Sequence, residues 1–198
     1  MPDFFDVVQR QRAYRSFAPG DVPDDLLNQV LDAATFAPSA ENKQPWVFVV
    51  VKAATTRKKV AELTRRAWEG GARDYEQGRI DDRLLADVDR GATKGMGDAP
   101  VIVVVCGDSS DAIEQTLPSS IFPAVQNLLL AATALGLGST LTTLATMHAK
   151  ELAEVLRLPD HVTPMAVVPL GWPARRLGPP KRTPFKQKAH RDRYGRRW

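Results

Sequence analysis

The pattern of apolar residues along the chain predicts a small set of strands. Residues 46–51 and 101–106 are continuous runs of β-branched and other apolar residues, and residues 163–170 form a third run that Gly171 closes. Short apolar runs between turn-forming residues are typical of buried strands. Residues 139–143 are a more polar strand candidate.

Helical spacing of apolar residues marks much of the chain between these runs. In residues 23–36, Leu27, Val30 and Ala34 recur at helical spacing behind two acidic residues that suit a helix N-terminus. Similar patterns predict further helices over residues 3–11, 55–69, 120–135 and 149–156. Because helices and strands are mixed along the chain, we expect an α+β or α/β class with helices packed on a sheet.

Residues 70–97 interrupt this pattern. They are charged and glycine-rich and show little periodicity, apart from a helical stretch around residues 82–88. Long excursions from compact domains often act as lids or binding loops. We therefore expect one domain over residues 1–185, with residues 70–97 as a lid, and a basic tail over residues 186–198.

Charge is distributed unevenly along the 198 residues. The net charge is +4, but residues 175–198 hold ten Lys and Arg against the single acid Asp192, so this end carries +9 and the rest −5. Such an end can contact nucleic acid, a membrane surface or a phosphate-bearing cofactor. Nucleic acid is the less favoured partner, because neither an interleaved aromatic pattern nor a helix-turn-helix signature is present.

Several classes of site are excluded by residue counts and spacing. The single Cys106 cannot form an internal disulfide framework, and its apolar surroundings favour a buried hydrophobic role. The three histidines lack zinc-ligand spacing, so no metal site is expected. The N-terminus lacks the pattern of a secretory leader and no apolar run approaches about 20 residues. The expected location is therefore cytoplasmic.

Two clusters near the N-terminus are candidates for ligand binding. Arg12 and Arg15, three residues apart at a predicted helix end, would lie on one side of it and suit phosphate capture, or they are solvated surface residues. In residues 37–46, the small Ser39 would let a flat ligand approach the backbone, and the polar side chains that follow match the mixed edge of a flavin or nucleobase. The alternative is a plain loop whose side chains bond to its own backbone.

Two further clusters lie in the C-terminal half. Residues 135–143 contain two glycines but lack the spacing of a dinucleotide-binding fingerprint. Residues 169–173 end a predicted strand, and a proline-rich basic linker then brings Arg182 back as a cation. The alternative is that this linker begins a disordered basic tail.

Taken in order, these clusters resemble the sequence boxes of the FMN-dependent nitroreductase family. The chain has an Arg-x-x-Arg-x-Phe box at residues 12–17, Ala-Pro-Ser-x-x-Asn-x-Gln-Pro-Trp-x-Phe at residues 37–48, Gln-Asn-Leu ending in Leu-Gly-Leu-Gly-Ser at residues 126–139, and Pro-Leu-Gly-Trp-Pro at residues 169–173. The resemblance extends from residue 4 to about residue 185. Gln11, Ala13, Glu41 and Thr143 depart from residues frequent in the family, which leaves the substrate and the exact phosphate contacts open.

The resemblance implies an α+β fold, a mainly antiparallel sheet flanked by helices in an intimate homodimer, with FMN at the interface. It assigns the phosphate and ribityl chain to residues of the first box and the basic segment, the isoalloxazine border to the 37–46 loop of the other subunit, and the flavin face or edge to a pair after residue 142. In chain order the implied cofactor-binding residues are Arg12, Ala13, Arg15, Pro38, Ser39, Ala40, Asn42, Gln44, Thr143, Leu144 and Arg182.

The implied activity is electron transfer from NADH or NADPH through FMN to a small organic acceptor such as a nitroaromatic or quinone, in a ping-pong cycle. No catalytic side chain is expected, because the cofactor carries the chemistry. Within the same family, dehalogenation, enoyl-type reduction and flavin fragmentation are alternatives. A non-catalytic flavin-binding protein, or nucleic-acid binding through the tail, are alternatives from other classes.

Overall fold

The computed structural model describes residues 2–198 and contains one four-stranded sheet. Its strands lie in the order β1-β2-β4-β3, and every pairing is antiparallel. The strands are β1 Trp46–Val51, β2 Val101–Asp108, β3 Gly138–Ser139 and β4 Val162–Gly171. The expected class of helices on a mainly antiparallel sheet is confirmed.

Helices cover both faces of this sheet. They are α1 Phe4–Arg10, α2 Asp24–Thr35, α3 Ala54–Ala67, α4 Arg73–Glu76, α5 Asp82–Arg90, α6 Met96–Asp98, α7 Leu117–Ala134 and α8 Ala149–Leu156. Within residues 2–198, no helix is both long enough and apolar enough to cross a membrane.

The central strand β2 is buried on both faces because its side chains alternate between two cores. Val103 and Val105 face a core that α2 and α7 complete. Ile102 and Val104 face the second core, to which α3 contributes Val60 and α8 contributes Leu152. This two-sided burial explains why β2 is a continuous apolar run rather than an alternating one.

Two predicted elements differ from the structure. The predicted strand over residues 139–143 is wrong beyond Ser139: Thr142 makes only an isolated bridge to Val167, and its hydroxyl accepts the Leu144 N–H at 3.2 Å, which turns the chain. The helix predicted from residue 120 begins at Leu117, because Pro118 is tolerated in the first helical turn.

The excursion over residues 70–97 is largely helical. The helix expected around residues 82–88 is present as α5, which Asp81 caps by accepting the Leu84 N–H at 3.0 Å. Two π-helical turns, Trp68–Ala72 and Gly91–Gly95, flank the segment between α3 and α6. Its role as a lid stays a prediction.

The basic tail has local structure, whereas a disordered tail was one of the alternatives from the sequence. His190 and Arg197 form an antiparallel bridge, and the rings of Phe185 and Trp198 meet edge to face with centroids 6.4 Å apart. The Arg191 guanidinium lies 5.3 Å from the Trp198 ring centroid. The domain boundary at residue 186 stays a prediction.

Cys106 lies in β2 with no exposed surface, and burial raises the pKa of its thiol to about 12. A raised pKa keeps the thiol protonated, so at pH 8 only about one thiol in ten thousand is a thiolate. We expect the folded protein to resist iodoacetamide at pH 8 and the urea-unfolded protein to be alkylated fully. Mass spectrometry measures both, and rapid labelling of the folded protein would contradict this burial.

Candidate functional site

The first candidate segment lies beyond the end of α1, not on it. Helix α1 ends at Arg10, and the chain then runs along the end of the sheet, where Ala13 bridges Ser139 and the Tyr14 N–H donates to the Ser139 carbonyl oxygen at 3.0 Å. The expectation that Arg12 and Arg15 share one side of a helix end is therefore wrong, because no helix carries them.

Arg12 and Arg182 lie close enough for their charges to interact. Burial, and next the charge of Arg182, lower the pKa of the Arg12 guanidinium. Within the described residues the hydrogen bonds of Arg12 go to backbone carbonyl oxygens, including that of Gly178 at 2.7 Å, and the one hydrogen bond of Arg182 goes to the Lys181 carbonyl oxygen at 3.2 Å. Two neighbouring guanidiniums without a carboxylate partner suit a doubly charged anion such as a phosphomonoester.

Ser139 adds an unsatisfied polar group to this end of the sheet. Its side chain is 1% exposed, and its Oγ has no hydrogen-bond partner within the part of the chain that the structure describes. Buried hydroxyls are normally hydrogen-bonded, so this one has free capacity for a ligand or water. Ser139 belongs to the glycine-containing cluster at residues 135–143, but it was not among the predicted site residues.

Arg15, three residues after Arg12, lines a cleft. The cleft has a volume of about 80 Å³ and is also lined by Gly91, Thr142 and Leu144. Small-molecule sites usually occupy about 300–1,000 Å³, which is more than the volume of this cleft. Of the predicted pair after residue 142, Leu144 lines the cleft and Thr143 is exposed beside it.

The loop between α2 and β1 holds the remaining predicted residues and is locally strained. Glu41, Asn42 and Gln44 have φ values of 53°, 55° and 52°, a left-handed conformation that is uncommon for Glu and Gln. The Ser39 Oγ accepts the Gln44 N–H at 3.0 Å, and the Ala40 N–H donates to Ser120 Oγ at 3.1 Å. Backbone strain of this kind concentrates at functional sites.

This loop is also tied to the segment after β2. Lys43 Nζ lies 2.9 Å from Asp111 Oδ2, and this hydrogen bond raises the pKa of the lysine. The Asn42 and Gln44 side chains are exposed, and Pro38 is exposed beside them. The polar groups predicted to border a flat ligand therefore point away from the core of this chain.

The structure separates the predicted residues into two groups. The loop enters β1 at Trp46, which pairs with Gly107, whereas the Arg15 cleft includes Pro169, which pairs with Ile102. Five residues along β2 separate these levels, which is about 17 Å at about 3.3 Å per residue. One chain therefore does not bring the 38–44 loop to the Arg15 cleft.

Two features beside Arg15 were missed by the sequence analysis. The Asp87 carboxylate pairs with the Arg15 guanidinium at 3.0 Å, and the backbone of Arg15 lies directly against Gly95. The Gly-x-x-x-Gly spacing of Gly91 and Gly95 indicates close approach between two segments, but it does not identify the segment that packs against these glycines. Within residues 2–198 no group of three metal-ligating side chains is present.

A sequence profile of the nitroreductase family matches residues 8–172 of the chain. The chain belongs to the nitroreductase family. It is 30% identical to a provisionally named NADH dehydrogenase/NAD(P)H nitroreductase of Methanothermobacter thermautotrophicus, over 89% of this chain and 80% of the relative. It is 27% identical to FMN reductase [NAD(P)H] of Bacillus subtilis, over 92% of this chain and 71% of the relative.

Solved structures share the fold of this nitroreductase-family chain. A hypothetical oxidoreductase of Bacillus subtilis superposes with a TM-score of 0.79 at 22% identity, over 98% of this chain and 75% of the other. Oxidised iodotyrosine deiodinase bound to FMN and 3-iodo-L-tyrosine superposes with a TM-score of 0.73 at 23% identity, over 91% and 95%. At these identities the likeness establishes the fold alone.

Proposed function

We propose that this nitroreductase-family chain is an FMN-dependent oxidoreductase that takes electrons from NADH or NADPH and passes them to small organic acceptors in a ping-pong cycle. The observation that carries the proposal is the pair of guanidiniums of Arg12 and Arg182, which have no carboxylate partner among residues 2–198, at the sheet end where Ala13 meets β3. Relatives named FMN reductase [NAD(P)H] and NAD(P)H nitroreductase support the cofactor and the donor.

The donor set of the described residues fits FMN. Arg12 and Arg182 would bind the phosphate, and the unpartnered Ser139 hydroxyl lies in the strand that Ala13 bridges. Arg15 would lie beside the flavin, where it lines the cleft with Thr142 and Leu144. Bound FMN supplies hydride acceptance from NAD(P)H and electron donation to the acceptor. The chain's own contribution is to bind, to orient and to provide positive charge, so we assign no catalytic side chain.

The separation of the two residue groups favours a site built from two subunits. The 38–44 loop lies about 17 Å along β2 from the Arg15 cleft, but its exposed Asn42 and Gln44 could border the flavin of a second copy. Apolar side chains at the surface of α1 and after α2 supply area for such a homodimer: Phe4, Phe5 and Phe36 are 63%, 69% and 79% exposed. The ring centroids of Phe4 and Phe5 lie 5.5 Å apart, and exposed apolar groups that lie together are typical of protein interfaces.

The visible spectrum of the purified protein, before and after anaerobic NADPH, tests the proposal. We expect a flavin spectrum that bleaches with NADPH and recovers when a quinone or nitroaromatic is added, with mass spectrometry of the released chromophore giving FMN. A colourless protein that takes up no added FMN would contradict the proposal. Tight FMN that NADPH and NADH both leave oxidised would instead favour a non-catalytic flavin-binding protein.

Reductive dehalogenation is a second candidate. Relatives named iodotyrosine deiodinase, 26% identical to this chain, favour it over the other family chemistries. The same reduced protein is therefore mixed with a halogenated phenol, and halide release is measured beside reoxidation by a quinone. If halide release is faster than reoxidation by the quinone, a halogenated phenol would take the place of quinones and nitroaromatics as the proposed acceptor.

The basic tail and the cytoplasmic location are separate predictions. Removing residues 186–198 deletes six cations but leaves Arg182 in place. If the tail binds nucleic acid, salt-dependent DNA binding is present in the full chain and lost on this truncation. We propose that DNA binding is absent from both the full chain and the truncated chain, and that the two chains bind FMN equally.

A further inference from the structure

Asp87 is the meeting point of three arginines from three parts of the chain. Its carboxylate lies 3.0 Å from Arg15 in the N-terminal segment, 3.1 Å from Arg175 after β4, and 3.6 Å from Arg90 on its own helix α5. The Asp87 and Arg15 side chains are 20% and 22% exposed, whereas those of Arg175 and Arg90 are more than half exposed. The pair with Arg15 is therefore the shielded one, and charge interactions are strongest where water is excluded.

The surrounding backbone fixes the direction of the Arg15 side chain. The Arg15 side chain lies in a notch left by Gly91, where an added Cβ would be 2.7 Å from Arg15 Cδ and 2.8 Å from Arg15 Cβ. Gly91 begins the π-helical turn that follows α5, so Asp87 lies four residues before it on the same helical segment. Arg15 is thus held along this segment from its backbone to its guanidinium.

The same Arg15 side chain lines the cleft proposed to hold the flavin. Arg15 and Gly91 line it together with Thr140 and Thr142, which places the Asp87 pair at its border. One carboxylate faces three guanidiniums there, so Asp87 lowers the positive charge that the border presents to a ligand. A reduced flavin carries more negative charge than an oxidised one, and a cation therefore stabilises the reduced form more.

We propose that Asp87 is a positioning residue that directs Arg15 along the cleft and limits its charge, and so lowers the reduction potential of the bound flavin. The inference rests on the proposed FMN function. Loss of the Asp87 charge leaves three guanidiniums uncompensated and favours binding of reduced over oxidised FMN. Removal of one unit charge from a partly buried site is expected to change the ratio of the dissociation constants for oxidised and reduced FMN about tenfold. For a two-electron couple a tenfold ratio corresponds to a rise of about 30 mV in the potential.

The test measures the midpoint potential of FMN-loaded wild type, Asp87→Asn, Asp87→Glu and Asp89→Asn. Asp89 is the matched control, because it lies on the same helix and undergoes the same change of charge but pairs with Arg73 and Trp68 instead of Arg15. An asparagine there can still accept the Trp68 N–H. We expect about +30 mV for Asp87→Asn, and potentials close to wild type for Asp87→Glu and Asp89→Asn.

The dissociation constants for oxidised FMN and the melting temperatures of the apoproteins separate positioning from a merely structural role. Loss of FMN affinity or of melting temperature in Asp87→Asn, with an unchanged potential, overturns the inference in favour of a structural anchor. Equal shifts for Asp87→Asn and Asp89→Asn overturn it in favour of a general charge effect. A wild-type protein that takes up no FMN overturns the proposed function as well, so the two failures are distinguishable.

Discussion

Replacing Gly95 with alanine is expected to lower the free energy of unfolding by more than about 3 kcal/mol, at the upper end of overpacking effects. An added Cβ would lie 1.9 Å from the Arg15 carbonyl oxygen, and a backbone atom cannot move aside as the end of a flexible side chain can. The Gly95 backbone is helical, with φ −60° and ψ −31°, so alanine adds no backbone strain of its own. The whole cost therefore comes from separating the helical excursion from the N-terminal segment.

Thermal unfolding followed by circular dichroism, with and without added FMN, measures this effect. For a chain of this size 3 kcal/mol corresponds to a fall of about 6–12 °C in melting temperature. Gly97→Ala is the matched control two residues away, because its Cβ would meet only Ala61 Cβ at an ordinary 3.7 Å. Its melting temperature should equal or exceed that of the wild type. Coincident melting of Gly95→Ala and wild type would mean that the excursion does not dock on Arg15.

The sequence was most informative where burial alone decides the structure. The run at residues 46–51 coincides with β1, and the buried runs in β2 and β4 lie within one or two residues of their predicted ends. Residues 139–143 have β-forming side chains as well, but β4 pairs continuously with only Gly138 and Ser139 and meets Thr142 in a single isolated bridge. Strand formation there depends on a non-local partner, which local preference does not reveal.

The helix α5 was expected around residues 82–88, whereas α4 was not predicted. α4 buries none of its four residues and carries three charges, so a search for apolar stripes finds nothing in it. The cap at Asp81 was a local signal for the start of α5. The excursion instead packs against the Arg15 backbone through small residues. The sequence does not identify which segment packs against those small residues.

The candidate site was predictable as a set of residues but not as an arrangement. The order of the sequence boxes pointed to Arg12, Arg15 and Arg182, but their partners depend on tertiary contacts. Arg15 pairs with an aspartate 72 residues away, whereas Arg12 lies within range of the charge of Arg182. The first contact lowers the net charge near the cleft and the second raises it at the sheet end. Two arginines of one sequence box therefore have different electrostatic surroundings.

The double substitution Arg12→Ala with Arg182→Ala is expected to weaken FMN binding by about 100-fold or more, because each charge-assisted hydrogen bond to the phosphate contributes about 1.5–3 kcal/mol. Fluorescence titration of the apoprotein with FMN measures this loss. The affinity for riboflavin, which lacks the phosphate, should differ far less between the variant and the wild type. Lys186→Ala with Lys188→Ala is the matched control, since it removes the same charge just beyond Arg182. An equal loss in both double variants would indicate a general charge effect and not phosphate capture.

Mixed dimers extend this prediction to the two-subunit site. A second double variant, Asn42→Ala with Gln44→Ala, alters only the exposed loop that is proposed to border the flavin of the partner. In a hybrid of the two variants, both defects fall on one site if the site is shared between subunits, and the other site is intact. That intact site joins the unaltered arginines of one subunit to the unaltered loop of the other. Each hybrid dimer should therefore have about half of the FMN binding and NADPH oxidation of a wild-type dimer. If each subunit carried a complete site, every site in the hybrid would retain one defect, and mixing would give only the average of the two parent variants.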